Sequence, residues 1–159
     1  MELLQIKTLI EDNLGLSIEL DEKSGQMTVA SPELLTVCDF LWRNSNTYFD
    51  SLSCITAIDL GPDTGQMEVI YTLYSIPNHL TLHLRVILDR AKPVISSVSS
   101  VWRTADWHER EAFDFFGIQF TNHPDLRRIL LPEDWEGHPL RKDYVEQTKY
   151  HGIQVKYDR

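Results

Sequence analysis

Residues 80–89 read LTLHLRVILD, in which Leu80, Leu82, Leu84, Val86 and Leu88 alternate with Thr81, His83, Arg85 and Asp89. Side chains of a β-strand point alternately to opposite faces, so the pattern predicts a strand with one face in a core and one in solvent. Upstream, Pro77-Asn78-His79 marks a turn. Before it, Met67, Val69, Tyr71 and Leu73 share one face of a second strand. Gly61-Pro62-Asp63-Thr64-Gly65 is another turn, and the mostly apolar stretch 52–60 reads as a third strand. Strands joined by such short turns form a sheet whose apolar face needs a cover.

Helical periodicity supplies that cover. Leu3, Ile6, Ile10 and Leu14 recur at helical spacing, with Gly15 as a stop. Segments 17–20 and 27–30 read as two short strands around the turn-rich 21–25. Ser31-Pro32 has the form of an N-cap followed by proline in the first helical position. Leu34, Val37, Cys38 and Leu41 then mark the buried face of a second helix. After Pro93 and a short Ser/Val segment, a third helix is predicted over 105–116, stopped by Gly117. The order α-β-β-α-β-β-β-α predicts an α+β fold, a two-layer domain over 1–120 with helices packed on one mixed or antiparallel sheet. Residues 121–159, with Pro124, Pro132 and Pro139 and no sustained periodicity, form a long irregular C-terminal tail expected to pack on partner subunits.

Composition narrows the function. The 159 residues are 42% hydrophobic and 25% charged, the profile of one ordinary globular domain. No run of about 18 apolar residues is present, so no membrane span is predicted. The amphipathic, acidic start MELLQIKTLIEDNLG does not resemble a secretory or transit leader, and a cytosolic compartment is expected. The net charge of −9 argues against nucleic-acid partners. That charge lies wholly in residues 1–120, while the tail is neutral, so the two parts are expected to meet different surroundings. Cys38 and Cys54 form no CxxC pair. Both are expected to be buried reduced thiols, and an iron–sulfur cluster is not expected in this chain.

Residues 101–144, VWRTADWHEREAFDFFGIQFTNHPDLRRILLPEDWEGHPLRKDY, carry the functional signal. On a helical projection Ala105, Ala112, Phe113, Phe115 and Phe116 form an apolar arc that contains Glu109 and has His108 at its side. Arg110, Glu111 and Asp114 fall on the other side. A carboxylate on an apolar face costs several kcal/mol unless it is paired, so Glu109 is expected to need a cation, with Arg127 or Arg128 as first candidates. Two roles for these charges stand open: a salt-bridge cluster that pins the tail to the helix, or an interface for another subunit. Catalytic acid–base work is the weakest reading. His108-Glu109 lacks the second histidine of a zinc helix, since position 112 is Ala112. No Gly-rich phosphate loop is present, and Ser96, Ser97, Ser99 and Ser100 lack a nucleophile elbow. In the tail, Arg and aromatic anchors such as Arg127, Arg128, Trp135 and Tyr144 suit an interface.

Glu109-Arg110-Glu111, Asp114, Gly117, Phe120, His123-Pro124-Asp125, Arg127-Arg128-Ile129-Leu130, Asp134-Trp135, Gly137 and Leu140-Arg141-Lys142-Asp143-Tyr144 resemble the signature of the 30 kDa subunit family of respiratory complex I (NADH:quinone oxidoreductase). Members are known as the C-type subunit, or the J-type subunit in cyanobacterial-type complexes. The segment 49–59, the strand around 71–75 and Ala105-Asp106-Trp107 also resemble this family. The resemblance implies a structural, cofactor-free subunit of the peripheral arm. Iron–sulfur clusters, FMN and quinone would be held by other subunits, above all the quinone-site large subunit and the terminal iron–sulfur subunit. It implies support of electron transfer from NADH to quinone coupled to proton translocation, with no catalytic chemistry in this chain. The implied location is the cytoplasmic side of a bacterial inner membrane, reached only through partners. The signature departs at Val145, where the family often has proline. An equivalent component of a membrane-bound hydrogenase or ferredoxin-driven complex is the alternative. A free-standing metal enzyme using His108, Glu109, His123 and Asp125 is the reading from a different class.

Overall fold

The structure, a computed structural model, describes residues 1–155. The last four residues of the tail segment 121–159 lie outside the described residues. The elements are α1 (Leu3–Leu14), β1 (Glu19–Asp21), β2 (Gln26–Thr28), α2 (Leu34–Arg43), β3 (Ser51–Asp59), β4 (Gln66–Ser75), β5 (Leu80–Asp89), β6 (Val94–Ser96), α3 (Ala105–Phe116), β7 (Gln119–Thr121), β8 (Lys149–Tyr150) and β9 (Ile153–Gln154). The main sheet is mixed and five-stranded, in the order β1-β2-β5-β4-β3. The hairpins β1-β2, β3-β4 and β4-β5 are antiparallel. β2 lies parallel to β5, because the chain leaves β2 through α2 and returns to its side only after β3 and β4. β6 and β7 form a short parallel pair on either side of α3. These additions are too short to read from periodicity.

The alternation in β5 does what it predicts. Leu80, Leu82, Leu84, Val86 and Leu88 are buried, and across the ladder Leu84 faces Tyr71 and Leu82 faces Leu73. Met67, Val69, Tyr71 and Leu73 form the matching buried row of β4. α2 covers this face with Leu34, Val37, Cys38 and Leu41, and α1 adds Ile6 and Ile10. α3 completes the layer with Ala105 and Ala112. The Trp102 indole N–H donates to the Phe49 carbonyl at 2.9 Å, tying the approach to α3 to the start of β3. Gly15 and Gly117 end their helices at φ 67° and 75°, in the left-handed region that glycine adopts at no steric cost.

Two local expectations change. Ser31 is not an N-cap: it opens a 3-10 turn, Ser31–Glu33, and its hydroxyl donates to the Val94 carbonyl instead. The proline two positions before α2 still sets the turn that starts the helix. Cys38 is buried, but Cys54 is only half-buried, because it follows the register shift of β3 between Leu52 and Cys54. Both are free thiols.

Leu84 sits at the centre of the sheet with no exposure. Leu84→Ala should cost about 2–5 kcal/mol by lost transfer energy and cavity formation. Thr81→Ala, on the exposed side of the same strand, should stay within about 0.5 kcal/mol. Urea unfolding of both variants measures the difference, and equal midpoints would contradict the assignment of the two faces.

Candidate functional site

A helix leaves its last four carbonyls without internal partners. In α3 these belong to Phe113, Asp114, Phe115 and Phe116. The Phe113 carbonyl accepts from Gly117 N–H at 2.8 Å. The Asp114 carbonyl accepts from Arg128 Nη1 at 3.1 Å and His138 Nδ1 at 3.0 Å, so His138 carries its proton on Nδ1. The Phe115 carbonyl accepts from Leu140 N–H at 3.1 Å, and the Phe116 carbonyl from Arg141 Nε at 2.7 Å. The tail is therefore the C-cap of α3, and it brings two arginines to the negative end of the helix dipole.

Asp114 anchors the same wrap. Its Oδ1 accepts from Arg128 Nη1 at 2.8 Å, and its Oδ2 accepts from three successive amides, Ile129, Leu130 and Leu131, at 3.1, 2.8 and 2.9 Å. Burial pushes its pKa up, but the amides and the guanidinium outweigh that and hold it below the ordinary value. Arg128 Nη2 also donates to the carbonyls of Trp135 and Gly137 at 2.8 and 2.9 Å, so the chain from 128 to 137 closes around one guanidinium. Gly137 takes φ 80°, and a Cβ there would stand 2.9 Å from the Tyr144 ring. A Cβ at Gly117 would stand 2.6 Å from His138 Nε2.

A second anchor joins the tail to the sheet. Asp59, at the end of β3, accepts from Arg90 Nε at 2.7 Å, Arg90 Nη2 at 3.0 Å, Gly61 N–H at 3.0 Å and Lys142 N–H at 2.8 Å. Arg90 also pairs with Asp143. The Arg90 guanidinium holds the Asp59 pKa down at about 2.

Glu109 departs from its expectation. It is fully buried, yet neither Arg127 nor Arg128 reaches it. Its Oε2 accepts from Ser97 Oγ at 2.6 Å and its Oε1 from Val98 N–H at 2.8 Å. His123 Nε2 lies 3.9 Å away. That ring accepts from Asp125 N–H at Nδ1 (3.0 Å) and therefore donates from Nε2 to the Asp106 carbonyl (3.1 Å). Burial raises the Glu109 pKa to about 7, against the Ser97 and Val98 hydrogen bonds. Asp114 also departs: the helical projection puts it on the polar side, and it is fully buried. The arginine predicted for Glu109 belongs to Asp114 instead, because the tail crosses the end of α3 and not its middle.

The remaining signature residues surround this core. Arg110 donates to the carbonyls of Arg127 and Arg128 at 3.2 and 3.0 Å and lies over the Trp107 ring. Glu111 is exposed and lines a cleft with Ala112, Phe116 and Leu140. Pro124 is exposed in a turn, and Asp125 pairs with Arg127 at 2.8 Å in solvent. Asp134 accepts from Tyr150 Oη and lies 2.7 Å from His151 Nε2, while Trp135 packs on the Tyr150 ring at 5.4 Å. Sequence reasoning gives no role to Ser97, Asp59, Arg90 or His138. Asp59 lies in a family-like segment, but its partners Arg90 and Lys142 are 31 and 83 residues away. Among the described residues no group of three His, Cys, Asp or Glu side chains stands close enough to share a metal ion. Of the four residues His108, Glu109, His123 and Asp125, the fold sets His123 3.9 Å from Glu109, and among the described residues no third such side chain completes a metal-holding group with them.

Residues 27–150 match the family described as the 30 Kd subunit of respiratory-chain NADH dehydrogenase. The chain belongs to this family. Relatives named as the C subunit of NADH-quinone oxidoreductase include those of Geobacter sulfurreducens, 46% identical over 76% of this chain and 74% of that one, and Chlorobium phaeobacteroides, 48% identical over 74% and 71%. The protein of Chloroherpeton thalassium is 45% identical over 74% of this chain, which spans about half (49%) of that relative's length. Two solved structures share the fold. A trypsin-resistant fragment of Nqo5 has TM-score 0.58 and 24% identity, covering 78% of this chain and 99% of that one. A chain of the membrane-bound sulfane sulfur reductase, an archaeal respiratory membrane complex, has TM-score 0.73 and 21% identity, covering 98% and 94%.

Two measurements check this site. Since the folded Glu109 pKa is about 7 and its ordinary value is 4.5, the folded chain binds more protons between those values, and stability falls as pH rises through that window. Glu109→Gln should flatten the fall, which is worth on the order of 3 kcal/mol. Melting curves from pH about 5 to about 8 read the slope, and an unchanged slope in the variant would sink the assignment. Arg128→Ala should release residues 129–141 to fast amide exchange, and Arg128→Lys should not restore protection, because an ammonium cannot fork to four acceptors. Full protection in the Lys variant would show that charge alone suffices.

Proposed function

We propose that this chain is a cofactor-free structural subunit of the hydrophilic arm of NADH-quinone oxidoreductase. In this reading it holds the quinone-site large subunit and the terminal iron–sulfur subunit in place. Other subunits carry electrons from NADH through iron–sulfur clusters to quinone, and the complex couples that flow to proton translocation. The chain reaches the cytoplasmic face of the membrane only through those partners. No helix among the described residues is long and apolar enough to cross a membrane.

One observation carries the reading: the polar groups at the end of α3 and along the tail that meets it are spent on holding the tail. Asp114, Arg128, His138 and Arg141 satisfy one another and the end of α3. The wrap leaves Trp107 64%, Leu130 63% and Leu140 54% exposed. Large apolar side chains held outward by a rigid polar frame suit a protein interface. The names of the relatives support the same reading.

The test is recovery of the tagged chain from native membranes. Co-purification with NADH-oxidising, quinone-reducing activity is expected. Recovery with hydrogenase components, or alone, would overturn the proposal. Leu130→Asp combined with Trp107→Ala should lower the amount of assembled complex on a native gel about tenfold or more, since buried apolar anchors dominate interface energy. Turnover per assembled particle should be unchanged, and so should the melting temperature of the isolated protein. Normal assembly with lost turnover would place these residues in the chemistry.

A further inference from the structure

The two edges of the main sheet are built differently. β1, at one edge, is only three residues long, and Glu19, Asp21, Glu22 and Lys23 crowd it with charge. β3, at the other, has nine residues, SLSCITAID, with no proline, and its only charged side chain, Asp59, is buried. Short charged edges repel strand pairing, and long uncharged ones invite it. The Leu60 N–H donates to the Gln66 carbonyl, so Ile58, Thr56 and Cys54 turn their backbone groups toward β4 by the antiparallel alternation. Ile55 and Ala57 then turn theirs outward. Neither has a hydrogen bond on that side among the described residues. The strand's ends are flanked by the rest of the chain: the Thr104 hydroxyl donates to the Leu52 carbonyl, and Lys142 N–H to the Asp59 side-chain carboxylate. Beside the open middle lies a cleft of about 200 Å³, walled by Ala112, Phe116 and Leu140. At its rim stands Glu111, which makes no hydrogen bond or ion pair among the described residues, unlike the neighbouring Glu109 and Arg110.

We propose that the open edge of β3 receives an extended segment of a neighbouring protein of the complex. The segment adds as a sixth strand beside Ile55 and Ala57, seats an apolar side chain in the Ala112–Phe116–Leu140 cleft and brings a basic side chain to Glu111. Two backbone donors and two acceptors give the segment its affinity, and the cleft and Glu111 give it register, as in strand addition generally. This rests on the chain being part of a larger complex, but names which surface is used and by what chemistry.

Hydrogen exchange of peptides spanning 52–60, in the intact complex and in the chain dissociated from it, reads the proposal. The amides of Ile55 and Ala57 should exchange fast in the free chain and about a hundredfold slower in the complex. Glu111→Arg, at a side chain that pairs with nothing among the described residues, should cut assembly about tenfold with the free chain's melting temperature unchanged, the loss expected from reversing one interfacial charge. Ala57→Pro removes one outward donor without breaking the β4 ladder and should act in the same direction. A control, Glu22→Arg at the other edge, should assemble normally. Fast exchange at Ile55 and Ala57 in a complex that still contains the chain overturns the strand addition and leaves the assignment to the complex standing. A chain that co-purifies with nothing removes both. Slowing that appears in the free chain as its concentration rises assigns the edge to a second copy and overturns the proposal.

Discussion

Helix α3 ends with four carbonyls that nothing within the helix can satisfy, and beside them sits a buried aspartate. Each unsatisfied buried group costs about 1–3 kcal/mol. The chain after β7 therefore follows the path on which donors reach them: Arg128 and His138 to Asp114, Leu140 N–H to Phe115, Arg141 to Phe116. Removing Arg128 alone would strip four acceptors at once. That concentration explains why an irregular, proline-punctuated segment can hold one conformation with little apolar burial. Its order comes from charge-assisted hydrogen bonds to a fixed frame, and the frame is the sheet-and-helix layer beneath.

The path of the tail then fixes what the surface offers. Because polar groups of residues 128–142 point inward to α3 and to Asp59, the intervening side chains of Leu130 and Leu140 point outward. Arg110 lies over the Trp107 ring beside them while it donates to two tail carbonyls. Large apolar side chains held outward in this way suit contact with another protein.

The long strands and α2 are legible because each buries a whole row of side chains, and a row leaves a period in the sequence; α3 keeps the expected bounds but buries only Ala105 and Ala112 of its apolar arc, leaving Phe113, Phe115 and Phe116 partly exposed. β5 and α2 are the clearest cases: every residue assigned to their buried faces is buried. The pairs β6-β7 and β8-β9 are two or three residues long and leave no period. The polar anchors are half legible. That the charges after α3 would pin the tail follows from a carboxylate's need for partners. Which carboxylate takes Arg128 does not, because Glu109 and Asp114 are separated only by where the tail crosses the helix. The parallel place of β2 beside β5 joins distant segments, and the bonds from Asp59 to Arg90 and Lys142 span 31 and 83 residues, beyond any local pattern.

Among the described residues three carboxylates are buried, Asp59, Asp114 and Glu109, and their different protonation follows from what each was given. Asp59 has a bidentate guanidinium and two amides, and is held at about 2. It contributes stability above its ordinary value of 3.8, lost as pH falls through about 2. Asp114 has one guanidinium and three amides and also stays below its ordinary value. Glu109 has one hydroxyl and one amide, and the histidine 3.9 Å away gives its proton to a carbonyl instead. With no guanidinium, burial wins, and the carboxyl sits at about 7. The two aspartates are therefore permanent anchors, each joining the tail to one end of a core element. Glu109 lies in the middle of α3, where it joins the helix to the loop after β6 and never touches an arginine of the tail. Its hydrogen bonds to Ser97 and Val98 survive protonation better than an ion pair would, because a neutral carboxyl still accepts from an amide and can donate to a hydroxyl. A charged partner at that position would have required a second buried ion and its desolvation penalty. A hydroxyl and an amide set the helix on the sheet without it.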